Sequence, residues 1–142
     1  MEKNKKELKF FSFLVLIFVA FSVINNVLSI CLHGLDIPVV EGISKDVLQT
    51  AAIIIVVIGF IVLLPQVYIG VKGIMIANGA PSGKAHIVWG IILAVYAAIS
   101  VVSSIAGLAK FNMNAVLDLL GPVIDLALYV FYVIYACKVA KE

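Results

Sequence analysis

Three stretches of this chain, Phe10–Leu32, Val47–Ile69 and Ala85–Ala109, contain no Asp, Glu, Lys or Arg. A fourth, Ala115–Cys137, contains only Asp118 and Asp125. At about 1.5 Å of rise per residue, each is long enough to cross a hydrocarbon core of about 30 Å as a helix. Ile53-Ile54-Ile55-Val56-Val57 alone reads equally well as a buried strand, but the length of its stretch and the absence of turn signals favour helix. The prediction is an all-α polytopic membrane protein, a four-transmembrane-helix bundle with short loops. The helices are expected at about 10–32, 47–77, 85–109 and 115–138, in one domain spanning 1–142. Hydrophobic residues make up 64% of the chain and charged ones 13%, against about a quarter charged in soluble domains. With the connections this short, no soluble domain of useful size remains.

Lysines orient the bundle, since the chain has no arginine. Lys3, Lys5, Lys6, Lys9, Lys72, Lys84, Lys138 and Lys141 fall on one side, and Lys45 and Lys110 on the other. That asymmetry predicts a multi-pass protein of the cell membrane with N- and C-termini cytoplasmic. The first outer connection agrees, carrying Asp36, Glu41 and Asp46 against a single lysine. The basic start followed by an apolar run also resembles a signal peptide. The run is longer than an h-region, no A-x-A-like site follows it, and Ile30 is bulky within Leu28-Ser29-Ile30-Cys31. An uncleaved first helix is expected.

Local signals divide the chain further. Gly34, Pro38 and Gly42 make the first outer connection irregular, and Ser44 with Asp46 suits the start of helix 2. Pro65 is expected to kink helix 2, and Gly70, Gly73 and Ala77 below it permit close helix contact. Asn78-Gly79-Ala80-Pro81-Ser82-Gly83-Lys84 is a turn. Its glycines and lysine invite comparison with a phosphate loop, but the spacing is too short, Ala85 replaces Ser or Thr, and no strand precedes it. A basic hairpin tip near anionic lipid is the simpler reading. His86 and Trp89 begin helix 3 at the interface, and Gly90, Ala94 and Ala98 form a small-residue stripe. Ser100, Ser103 and Ser104 follow, with hydroxyls that can bond to their own helix. Asn112 and Asn114 are expected to form the turn that caps helix 4, placing Asp118 within about its first turn, where the helix dipole favours an anion.

Asp125 is the candidate for function. Counted from Asn114 it lies roughly 16 Å deep, near the midplane, where a carboxylate costs about 2.5–3.5 kcal/mol on insertion scales. Such a group normally has a partner, a water-filled cavity or a proton. Asp118, Pro122, Asp125, Tyr129 and Tyr132 share one helical stripe, expected to face the bundle interior, with Gly121-Pro122 loosening the helix between the two acids. Asn25 and Asn26, in the outer half of helix 1, either hold helices together or face Asp118 and Asp125. These four form a candidate intramembrane ion or proton site, whose alternative is a protonated Asp125 hydrogen-bonded to an asparagine or serine.

Catalytic and metal chemistry find no support. His33 and His86 fall on opposite membrane faces, and Cys31 and Cys137 lie at opposite ends of the bundle, too far apart for a disulfide. No ligand spacing for a metal and no cofactor motif occurs. No enzyme, cofactor or nucleic-acid partner is expected.

The segment Gly70-Val71-Lys72-Gly73 with Asn78-Gly79-Ala80-Pro81-Ser82-Gly83-Lys84-Ala85-His86, set between two apolar helices, resembles the hairpin of small uncharacterised four-helix multi-pass membrane proteins of Gram-positive bacteria. The resemblance covers about a third of the chain and implies a bacterial inner membrane, with no activity attached. In size and span count alone the chain also resembles the small multidrug resistance transporters. Those place an essential glutamate in the first helix, whereas here Phe10–Leu32 has no acid and the candidate lies in the fourth span. The expected function is non-enzymatic: an accessory, scaffold or protective subunit working through helix–helix contacts with the bilayer, a membrane protein partner or a homo-oligomer. The alternative is a small oligomeric proton- or cation-coupled transporter or channel using Asp125.

Overall fold

The computed structural model describes residues 1–33, 40–108 and 113–142. Gly34, Asp36, Pro38, Lys110 and Asn112, discussed above, lie outside the described residues. Four helices account for nearly all the rest: α1 (Glu2–His33), α2 (Lys45–Ala77), α3 (Ala85–Gly107) and α4 (Met113–Lys141). No strand occurs among the described residues, and all four helices are long and apolar enough to span a membrane. They form an antiparallel ring in which α1 packs on α2 and α4, and α3 on α4 and α2.

Two helix starts differ from the sequence expectation. α1 begins at Glu2 rather than Phe10, so its early lysines are helical. Leu8, Ser12, Val15 and Val19, spaced four, three and four apart, make one buried face whose first residue lies in this extension. α4 begins at Met113, so Asn114 belongs to its first turn instead of the turn before it. For the same reason Asp118 stands in the second turn, beyond the strongest part of the helix-end field. Pro65 and Pro122 sit inside α2 and α4 without interrupting either helix; each lacks an N–H, which leaves the carbonyls of Ile61 and Asp118 without their usual helical donors.

α2 stops where its sequence says it should. Gly79 takes φ +104°, a region closed to most side chains. The amides of Gly79 and Ala80 turn back to the carbonyls of Ile76 (3.0 Å) and Met75 (2.9 Å), the paired bonds of a Schellman C-cap. At its other end Ser44 occupies the N-cap position, extended, without a side-chain cap bond, and Asp46 lies in the first turn.

The packing is lopsided. Every buried described residue falls in 8–19 of α1, 69–76 of α2, 86–97 of α3 or 128–139 of α4. These segments meet at the end that carries both termini and the 78–84 hairpin, here the terminal end. In the opposite, distal half no described residue is buried, and large apolar side chains such as Phe21, Ile55, Val102 and Leu117 lie open. Small residues close the terminal end. A Cβ on Gly70 would come within 2.7 Å of Leu16, one on Gly73 would overlap Ser12 Oγ, and one on Gly90 would lie 2.9 Å from Val133. Aromatic contacts seal the α1–α4 seam: Phe11 stacks on Phe131 (5.3 Å) and Tyr135 (5.6 Å), each such pair worth about 0.5–1.5 kcal/mol beyond its buried area. In lipid, close packing of this kind, rather than exclusion of water, holds helices together.

Candidate functional site

At the terminal end each helix contributes to one polar knot. Tyr132, fully buried on α4, donates its hydroxyl to the backbone carbonyl of Ile69 on α2 at 2.9 Å. Ser12, fully buried on α1, donates to its own helix at the Leu8 carbonyl (2.7 Å). His86, in the first turn of α3 and 1% exposed, meets the Tyr132 ring edge to face at 6.3 Å. Among the described residues neither His86 ring nitrogen makes a hydrogen bond, and the Gly83 backbone and Lys72 lie within electrostatic reach of the ring. Sequence reading put His86 at the interface beside Trp89 and did not single out Ser12. Trp89 is indeed exposed, and His86, three residues earlier, turns inward with Gly90. The four-residue step from His86 to Gly90 was the available signal.

The expected site residues are spread along the gradient from packed to open. Asp118 is exposed, Pro122 and Asp125 are half-buried, and Tyr129 and Tyr132 are buried, so the stripe enters the bundle interior only over its lower part. Among the described residues, no hydrogen bond or ion pair reaches either carboxylate. Tyr129, one turn below Asp125 on that stripe, lies within electrostatic reach of it. Asn25 and Asn26 are exposed on α1 and make no hydrogen bond to Asp118 or Asp125. Asn26 instead lines a cleft of about 300 Å³ between α1 and α2, with Ser29, Ile30, Ile55, Val56, Gly59 and Phe60. Among the described residues no hydrogen bond or ion pair links any two of the four.

The small-residue positions sit lower. Gly70, Gly73 and Gly90 are buried at helix contacts; Ala94 packs against the core and Ala98 is half-buried, while Leu93 and Ala97 carry the buried face of α3 onward. Ser100 bonds back to the Tyr96 carbonyl at 3.1 Å. Cys31 and Cys137 are both free thiols. No group of three metal-ligating side chains exists among the described residues.

Outside the spans, salt links tie the helix ends together. The Met1 amine meets the Glu142 carboxylate at 3.2 Å, and Asn4 also donates to it. The Asn4 bond is the main reason the Glu142 carboxyl is held below its ordinary range; desolvation opposes this, and the Met1 amine and Lys5 add to it. Lys9 donates to the Asn78 side-chain oxygen at 3.0 Å, fastening α1 to the hairpin.

Comparison with known protein families, curated proteins and solved structures finds no match.

Proposed function

We propose that this protein is a non-enzymatic membrane subunit that works by helix–helix association through its distal half. The observation that carries this reading is the division of the bundle: a closed terminal half, and a distal half in which Asn25, Asn26, Asp118 and Asp125 have no side-chain hydrogen bond or ion pair among the described residues. Exposed asparagines in hydrocarbon favour any neighbour that can hydrogen-bond them. Measured interhelical bonds of this kind average about 0.6 kcal/mol. The α1–α2 cleft offers Asn26 and Ser29 on an otherwise apolar wall, a surface suited to a helix carrying its own polar group. The role is that of an accessory, scaffold or protective subunit, with a second copy or another membrane protein as the associate. The lysine distribution supports a cell-membrane location with both termini cytoplasmic, and the hairpin resemblance supports a bacterial inner membrane.

The test is the mass of the particle extracted from native membranes in mild detergent. The reading expects a defined assembly heavier than the 15.2 kDa chain. Replacing both Asn25 and Asn26 by Leu should weaken it about eightfold, from two bonds of about 0.6 kcal/mol each. A lone protomer for wild type in native membranes would remove the reading.

A second reading rests on Asp125, half-buried, free of ion pairs among the described residues, and one turn from the loosened backbone at Pro122. It makes the protein a small oligomeric proton- or cation-coupled transporter or channel, since intramembrane acids mark such paths. Flux in reconstituted vesicles that Asp125→Asn abolishes would favour it; equal flux in both proteins would dismiss it.

A further inference from the structure

We propose that the terminal end of the bundle binds the headgroups of anionic phospholipids through a collar of lysines to which all four helices contribute. The proposal does not depend on association through the distal half. Of the side-chain carboxylates at this end, Glu2 pairs with Lys6 at 3.3 Å and Glu142 with the Met1 amine at 3.2 Å, which leaves Glu7 alone without an ion pair among the described residues. Lys3, Lys5 and Lys9 on α1, Lys72 on α2, Lys84 at the N-cap of α3, and Lys138 and Lys141 on α4 have no ion pair among the described residues. So many like charges at one end repel one another and call for external anions.

Two features of their placement select a lipid layer over a soluble anion. The lysines surround the bundle instead of converging on one point, so they match a plane of headgroups better than a single phosphate. They also stand at the edge of the open apolar surface. Lys9 adjoins exposed Phe10, Lys72 adjoins exposed Val71, and Lys138 lies 5.0 Å from the centre of the Tyr135 ring. A long lysine stem on apolar surface with its ammonium turned outward reaches the headgroup level. The opposite end differs: Lys45 there is accompanied by Glu41 and Asp46.

Native mass spectrometry of the purified chain, released from nanodiscs of phosphatidylglycerol or phosphatidylcholine with matched acyl chains, tests this. Retained phosphatidylglycerol should exceed phosphatidylcholine several-fold. Replacing Lys72, Lys84, Lys138 and Lys141 together by Gln should abolish that preference, replacing them by Arg should keep it, and Lys45→Gln should leave it unchanged. Equal retention of the two lipids by wild type would overturn the proposal without recourse to any variant. Loss of the preference in the Arg variant, loss in Lys45→Gln, or its elimination by millimolar inorganic phosphate at constant ionic strength would overturn it too.

Discussion

The Tyr132 hydroxyl reaches across the bundle to the backbone carbonyl of Ile69 at 2.9 Å, in the one region where all four helices touch. The bond joins α4 to α2, which are diagonal neighbours, and so fixes the rotation of both. Gly73 makes room for it, since a side chain there would meet Tyr132 and Ser12. Above this level nothing comparable spans the bundle among the described residues, and the helices present apolar and polar groups outward together.

Tyr132→Phe keeps the ring and removes the bond, leaving a carbonyl that retains its helical donor. A loss of about 0.5–1.5 kcal/mol is expected, read from reversible unfolding in detergent micelles. No change would mean that the cross-bundle bond contributes nothing to rotation or stability.

Gly73→Ala forces Ser12, Tyr132 or the backbone to move, and overpacking of this sort costs about 1–3 kcal/mol. Ser12→Ala in the same chain removes the atom that overlaps most and should recover part of the loss, a coupling visible in a double-mutant cycle. Strict additivity of the two would show that α1 and α2 do not approach as closely as described.

His86→Leu replaces a buried ring with two unpartnered nitrogens by an apolar side chain of lesser bulk. Leaving a buried polar group unsatisfied costs about 1–3 kcal/mol, so this variant should match or exceed wild type in thermal stability. A fall of about 2 kcal/mol or more would reveal a partner that the imidazole acquires in the membrane.

Glu142 supplies the pH dependence. Its carboxyl is held below the ordinary value of 4.5, first by the Asn4 hydrogen bond. A depressed carboxyl stabilises the folded ends at pH values above that ordinary value, and the contribution is lost as pH falls through the lower folded value. Asn4→Ala should therefore move the Glu142 titration midpoint upward, toward 4.5, in carboxyl-labelled NMR spectra. A midpoint that stays put would assign the effect to the Met1 amine and Lys5.

The four spans were legible because long uncharged runs leave little choice in lipid, and the end of α2 was legible because glycine adopts φ +104° at position 79 far more readily than other residues. Helix rotation was not. In runs that are apolar all round, the face that packs is chosen by shape: Gly73 against Ser12 and Gly90 against Tyr132, matches between residues far apart in the chain. For the same reason the burial of His86 and the start of α1 at Glu2 escaped sequence reading. The grouping of Asn25 and Asn26 with Asp118 and Asp125 was inferred from shared depth alone, and depth does not say which way a side chain turns: both asparagines and Asp118 are exposed and Asp125 is half-buried.

Phe13 and Val27 offer the most direct comparison, because both lie on α1 with nearly equal exposure, 47% and 45%, one in the closed half and one in the open half. A photo-activatable benzophenone side chain placed at either position, and irradiated in native membranes, reports what covers it. The account predicts a discrete protein adduct from position 27 and lipid adducts alone from position 13. Protein adducts of equal yield from both, or from position 13 only, would contradict association through the distal half.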